Sequence, residues 1–247
     1  LTEKDNIDVT NGLADYIAQE EMRRPSGFWW SRDGKNIAFT QVDETHITPF
    51  NIAHSGKDDR GPTSWEIHRY PFAGEDNPKV KLGVVSFDGV LKWLHTEKYE
   101  YIVRVDWLEG HRLAVQCQNR EQTCLDLLIF DADMEIQHEL SIERSDYWIN
   151  ISDSYCYVGE ESMIWSSERD GWRHLYMYDF NEMEPRQITR GKWQVDELLS
   201  LDEDSGVLFF SASKESPLEK HVYVISLQGG FPRKLTLSSG IHNAVIS

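Results

Sequence analysis

The 247-residue sequence predicts an all-β chain, and three observations carry that expectation. Nine tryptophans, ten tyrosines and ten phenylalanines are a heavy aromatic load, and such side chains fit a pleated, half-buried surface better than a helix. Apolar residues come in short runs with β-branched and aromatic content, not at the roughly 3.6-residue spacing of an amphipathic helix. Third, the chain repeats itself. Shifted by 47 positions, "GEESMIWSSERDGWRHLYMYDFNEMEPRQITRG" lies without a gap over "GVLFFSASKESPLEKHVYVISLQGGFPRKLTLS". Gly159 then meets Gly206, Ser166 meets Ser213, Glu168 meets Glu215, His174 meets His221, Tyr176 meets Tyr223, Pro185 meets Pro232 and Thr189 meets Thr236.

Each repeat reads as strand, loop, strand, turn, strand. "SMIWSS" and "VLFFSAS" are short buried-type runs, and "HLYMYD" and "HVYVIS" alternate. "NEMEP" and "LQGGFP" place Asn, Gly and Pro where a chain reverses. Two earlier stretches, "WWSRDGKNIAFTQVD" and "VDWLEGHRLAVQCQN", share the opening, so Gly34, Gly110, Gly159 and Gly206 mark equivalent turns. The first interval is longer and holds an insertion at 44–78. Repeats of roughly 40–50 residues with about four short strands are the signature of β-propeller blades. Four to five blades are visible. The last stretch, "GIHNAVIS", stops within an expected strand, so the expectation is part of a larger ring.

Residues 12–24, "GLADYIAQEEMRR", are the exception to the β pattern. They predict a short inserted helix with Asn11 as its cap and Pro25 beyond its end. Glu20 and Glu21 stand side by side on it. Adjacent positions on a helix diverge by about 100°, yet flexible side chains can converge beyond the helix. Two carboxylates meeting at one point suit an ammonium, which offers three donors. The competing reading is surface charge, with Glu20 paired to Arg23 or Arg24 on a solvated helix.

The formal net charge of −17, from 42 acidic and 25 basic residues, argues against nucleic acid, whose phosphates it would repel. It suits either a soluble acidic surface or a field that gathers cationic ligands. No apolar run approaches the roughly 18–20 residues of a membrane span. Cys117, Cys124 and Cys156 form no zinc pattern; the first two flank "QNREQT" and could face each other across a hairpin, bonded or as reduced thiols. Asn150-Ile151-Ser152 is a glycosylation sequon. Few cysteines fit a cytoplasmic or bacterial periplasmic protein better than a disulfide-rich ectodomain. No nucleophile elbow, Walker loop, dinucleotide motif or H-E-x-x-H occurs. No catalytic residue, metal site or cofactor is expected, and His174 and His221, fixed by the repeat, read as structural.

The stretch "GLADYIAQEEMRRPSGFWWSRDGKNIAFTQVD" resembles the glutamate-helix region of the dipeptidyl peptidase IV family of serine peptidases. "RYPFAGEDNPKVKLGVV", "DYWINISD", "WSSERDGWRHLYMYD" and "SASKESPLEKHVYVISLQGG" agree in order, and the resemblance covers nearly the whole chain. It is nearest to the bacterial, plant and dipeptidyl peptidase 8/9-like branches. It implies an eight-bladed propeller followed by an α/β-hydrolase domain carrying a Ser-Asp-His triad, and release of dipeptides from free N-termini, often after proline or alanine. On it, 1–247 is a propeller fragment, with the hydrolase domain elsewhere in the same polypeptide. Such a fragment should be inactive alone.

By the same resemblance, Glu20 and Glu21 bind the substrate's α-ammonium, and Trp148 and Asn150 lie near the outer substrate cavity. Peptide N-termini are the implied ligands, and a homodimer is the implied assembly. Pro25, Arg32 and Arg23 depart from the family pattern, and Arg23 puts a cation close to the pair. The alternative is a non-enzymatic interaction propeller, either a catalytically dead relative or a scaffold.

Overall fold

A computed structural model describes residues 6–54, 65–182 and 184–246. Its chain divides into two compact units, Leu1–Trp148 and Ile149–Ser247. The first contains two sheets and a hairpin. Its first sheet is built from β1 (Val9–Asn11), β2 (Phe28–Trp30), β3 (Asn36–Asp43), β6 (Lys79–Ser86) and β7 (Leu91–Trp93), in the order β1-β3-β6-β7 with β2 also on β3. The insertion forms a separate antiparallel hairpin, β4 (Pro49–Ala53) with β5 (Trp65–Arg69). The second sheet is a four-stranded meander of β8 (Tyr101–Trp107), β9 (Leu113–Gln118), β10 (Cys124–Phe130) and β11 (Ile136–Arg144).

The second unit holds two further four-stranded meanders. These are β12 (Tyr155–Val158), β13 (Ser162–Ser167), β14 (His174–Asp179) and β15 (Arg186–Gln187), then β16 (Val195–Asp202), β17 (Val207–Ala212), β18 (His221–Ser226) and β19 (Arg233–Lys234). The all-β propeller-type architecture is therefore as the repeat implies, with four sheets of at least four strands among the described residues. Among the described residues, no helix is long and apolar enough to cross a membrane.

The 47-residue repeat has a physical basis in two places. Gly34, Gly110, Gly159 and Gly206 all have positive φ, at 71°, 69°, 55° and 64°. A Cβ at any of them would meet nothing within 4 Å, so the turns require left-handed backbone, not space. The second is a latch. His174 Nδ1 lies 3.0 Å from Thr189 Oγ1, and His221 Nδ1 lies 3.0 Å from Thr236 Oγ1. Each threonine hydroxyl also accepts a backbone N–H, from Leu175 and Val222 respectively. Both histidines are fully buried. They tie the start of the third strand to the chain just past the fourth.

Side-chain alternation fills the space between sheets within each unit. In the first, Ala38, Leu82, Val84, Ile102, Val115 and Phe130 belong to one buried cluster. In the second, Trp193 stacks on Phe210 at 6.2 Å and Phe210 on Tyr223 at 5.6 Å, in a cluster with Ile164, Leu175 and Leu208. The cysteines are free thiols. Cys117 pairs in register with Asp126, so it is not directly opposite Cys124. Burial raises the Cys117 thiol far above its usual range and pushes Cys156 up to about 12.

Candidate functional site

The glutamates sit on an excursion from one edge of the first sheet. β1 and β2 lie end to end along the same side of β3: Asn11 pairs with Gln41, and Phe28 pairs with Phe39. Between them, Thr40 forms the neck. Gly12 N–H donates to the Thr40 carbonyl at 2.8 Å, and Thr40 N–H donates to the Gly27 carbonyl at 2.8 Å. The Thr40 hydroxyl donates toward Leu13 O at 3.1 Å and Gly27 O at 3.3 Å, and Leu13 bridges Ser26.

The helix inside this excursion is shorter than the sequence suggests. It spans Tyr16–Glu20, and its cap is Asp15, whose Oδ1 accepts the Ala18 N–H at 3.1 Å. Asn11 does not cap it, because Asn11 belongs to β1 and its side chain accepts from Gln41 Nε2. Edge pairing with β3 thus overrides the local capping preference of Asn11. At the other end Arg23 turns left-handed, with φ of 51°, and Arg24 N–H reaches back to Ala18 O at 2.9 Å. A left-handed residue and a backbone bond reaching back six positions thus close the helix.

Burial alternates tightly through the pair. Ala18, Met22 and Arg24 are buried, whereas Glu20, Glu21 and Arg23 are exposed. Buried Arg24 donates to Ser26 O at 2.7 Å and stacks over the Trp29 ring at 5.4 Å. It therefore faces away from an ion pair with Glu20. Among the described residues, none forms an ion pair with Glu20 or Glu21, and the surface-pairing reading with Arg23 or Arg24 has no contact behind it.

Both carboxylates act on a common neighbour. The Tyr16 phenol is raised above its ordinary range, first by the hydrogen bond and charge of Tyr70, then by burial, and least by Glu20 and Glu21. Tyr16 and Tyr70 meet edge to face at 4.9 Å, and Tyr70 continues to Phe72 at 5.0 Å. A cleft of about 720 Å³ lies against this aromatic chain, lined by Tyr16, Gln19, Phe50, Ile67, Tyr70 and Phe72 among others. The glutamates do not line it.

Sequence reasoning missed two groups that shape the site. Tyr16 is one. The other is Arg104, on β8, which donates to the Met22 carbonyl at 2.8 Å across 82 residues of sequence. An arginine inside the apolar alternation "YIVRVDW" was the available signal, since a charge in a strand interior needs a partner.

Trp148 and Asn150 are held locally, one in each unit. The Trp148 N–H donates to Ser145 Oγ at 3.2 Å, and its ring is half exposed. Asn150 Nδ2 donates to Glu168 Oε2 at 3.0 Å, and Glu168 Oε1 pairs with Arg173 at 2.9 Å. The paired carboxylates, by contrast, offer acceptors only. Such a constellation can bind and orient a cation.

The profile of the dipeptidyl peptidase IV N-terminal region matches residues 1–247. A Schizosaccharomyces pombe protein named as a dipeptidyl aminopeptidase is 28% identical over 252 residues, covering 92% of this chain and 32% of its own. Dipeptidyl-aminopeptidase B of Aspergillus niger is 27% identical over 271 residues, covering 97% of this chain and 30% of its own. The crystal structure of Porphyromonas gingivalis dipeptidyl peptidase 4 superposes with a TM-score of 0.84 at 27% identity, over 100% of this chain and 35% of that one. The chain thus spans about a third of the length of the relatives it matches. It belongs to the dipeptidyl peptidase IV family, as the N-terminal propeller region of such a protein.

Proposed function

We propose that this region is the substrate-recognition propeller of a serine dipeptidyl aminopeptidase, in which Glu20 and Glu21 receive the α-ammonium of a peptide. One observation carries the reading: two adjacent exposed carboxylates, without an ion pair among the described residues, are fixed between buried Ala18 and buried Met22 and Arg24. A carboxylate pair left unneutralised on a pinned segment is complementary to a cation from outside the chain. Binding the ammonium there sets the distance from the N-terminus to the scissile bond, so cleavage falls after the second residue. Bond cleavage belongs to a hydrolase domain of the same polypeptide. The acidic balance of the chain, −17, draws cationic N-termini toward the site.

The test uses the full-length protein. Each charge-assisted hydrogen bond is worth roughly 1.5–3 kcal/mol. Glu20→Gln or Glu21→Gln should therefore lower kcat/KM for Ala-Pro p-nitroanilide by about 10- to 150-fold. Part of the loss should fall on kcat, because an untethered N-terminus lets the scissile bond wander from the nucleophile. Labelling of the hydrolase serine by a small fluorophosphonate, which has no amine, should stay as in the wild type. If both variants keep kcat/KM within about twofold of wild type, the pair is surface charge and the reading fails.

A further inference from the structure

Arg104 ties the second sheet to the chain immediately after the glutamates. It follows a register shift in β8, between Ile102 and Arg104 on the β8–β9 ladder. Its Nη1 donates to Met22 O and to Val103 O, both at 2.8 Å. The Met22 carbonyl is one that a helix end leaves without an intrahelical partner. Nearby carbonyls at that end are already taken, Ile17 O by Glu21 N–H and Ala18 O by Arg24 N–H.

A five-residue helix has no stability of its own. Its last turn keeps its geometry through what holds it from outside. Met22 is held at both ends of the residue, by a side chain only 1% exposed and by a carbonyl clamped from β8. Glu20 and Glu21 diverge at the backbone, so one ammonium can meet both only if the backbone from 20 to 22 stays where it is.

We propose that Arg104 is a positioning residue for the glutamate pair, holding the Met22 carbonyl so that both carboxylates address a single ammonium. The proposal rests on the amine-anchoring reading above. Arg104 touches no substrate in this scheme and acts only through the segment it clamps.

The test compares the full-length protein with Arg104→Met, Arg104→Lys, Glu20→Gln, Glu21→Gln and the Arg104→Met/Glu21→Gln double variant. The readout is the ratio of kcat/KM for Ala-Pro p-nitroanilide to that for its N-acetylated form, which reports amine recognition and is insensitive to a loss of active protein. Arg104→Met should reduce this ratio by about 10- to 100-fold, divided between KM and kcat as in the glutamate variants. Arg104→Lys keeps one charged donor and should lie between. Adding Arg104→Met to Glu21→Gln should cost less than it does alone, since both act through one ammonium.

An unchanged ratio in both Arg104 variants, with a collapsed ratio in Glu21→Gln, overturns the positioning role and leaves the anchor standing. A full, independent loss in the double variant overturns it as well. An unchanged ratio in Glu21→Gln and in Glu20→Gln defeats the anchor and, with it, the role of Arg104. Should Arg104→Met not fold, the Arg104→Lys ratio decides.

Discussion

Gly27→Ala probes the neck of the glutamate excursion directly. A Cβ built on Gly27 would sit 2.4 Å from Leu13 O and 2.5 Å from Thr40 Oγ1. Ordinary contacts of a Cβ begin at about 3.4 Å, so the backbone of Leu13 or Gly27 must retreat by about 1 Å. The Leu13 oxygen is main chain and cannot rotate away. Its retreat breaks the Leu13–Ser26 bridge and lengthens the bonds of Thr40 to Leu13 O and Gly27 O. Two or three hydrogen bonds at about 1 kcal/mol each, or an overpacking cost of 1–3 kcal/mol if they survive, give roughly 3 kcal/mol. For a unit of this size that corresponds to a fall of about 6–12 °C in Tm. Differential scanning calorimetry of the chain measures it, and amide exchange at Gly12 and Thr40 should quicken along with it. Gly27 has no positive φ, so the effect is steric alone. A Tm within about 1 °C of wild type would show that the neck yields freely and that this account of its rigidity is wrong.

Thr189→Val removes the hydroxyl that serves both His174 Nδ1 and the Leu175 N–H in a fully buried setting. Stranding two polar groups should cost about 2–4 kcal/mol by urea denaturation, and a loss under about 0.5 kcal/mol refutes the latch. Glu44 is held above the usual carboxylate range, chiefly by burial and then by Asp15 and Asp8 against the pull of Arg69. Its folded pKa exceeds the unfolded one, so ionising it weakens the fold as pH rises from the ordinary carboxylate range through its raised value. Glu44→Gln should therefore raise Tm at pH 7 and leave it unchanged near pH 3; a gain at pH 3 equal to that at pH 7 would contradict this assignment.

The propeller was legible because its signals are local and repeated. Left-handed turns demand glycine at 34, 110, 159 and 206, and the histidine–threonine latch demands its pair at a fixed 15-residue separation. Helix boundaries were less legible. Asn11 and Asp15 are both good caps, and the choice between them is made by β3, whose pairing with residues 9–11 lies some 30 positions away. The glutamates could be picked out as an anomaly of charge and by resemblance. Their neighbours could not. Tyr70 and Arg104 reach Tyr16 and Met22 only after the hairpin insertion and a second sheet have folded, and no spacing rule links them. Cys117 and Cys124 show the same limit, since the register that separates them depends on where the turn at 119–123 begins.

The latch bears on how these sheets meet their surroundings. In the second unit it closes a meander whose last strand, β15 or β19, contributes only two residues to the ladder. A sheet margin that brief offers an incoming chain almost no template for strand addition. β11, at the margin of the second sheet, is nine residues long and needs another defence. It carries Glu139, Glu143 and Arg144, charges that an intruding strand would have to desolvate or face. Two kinds of margin are thus protected differently, the last strands of the second unit's meanders by brevity and β11 by charge.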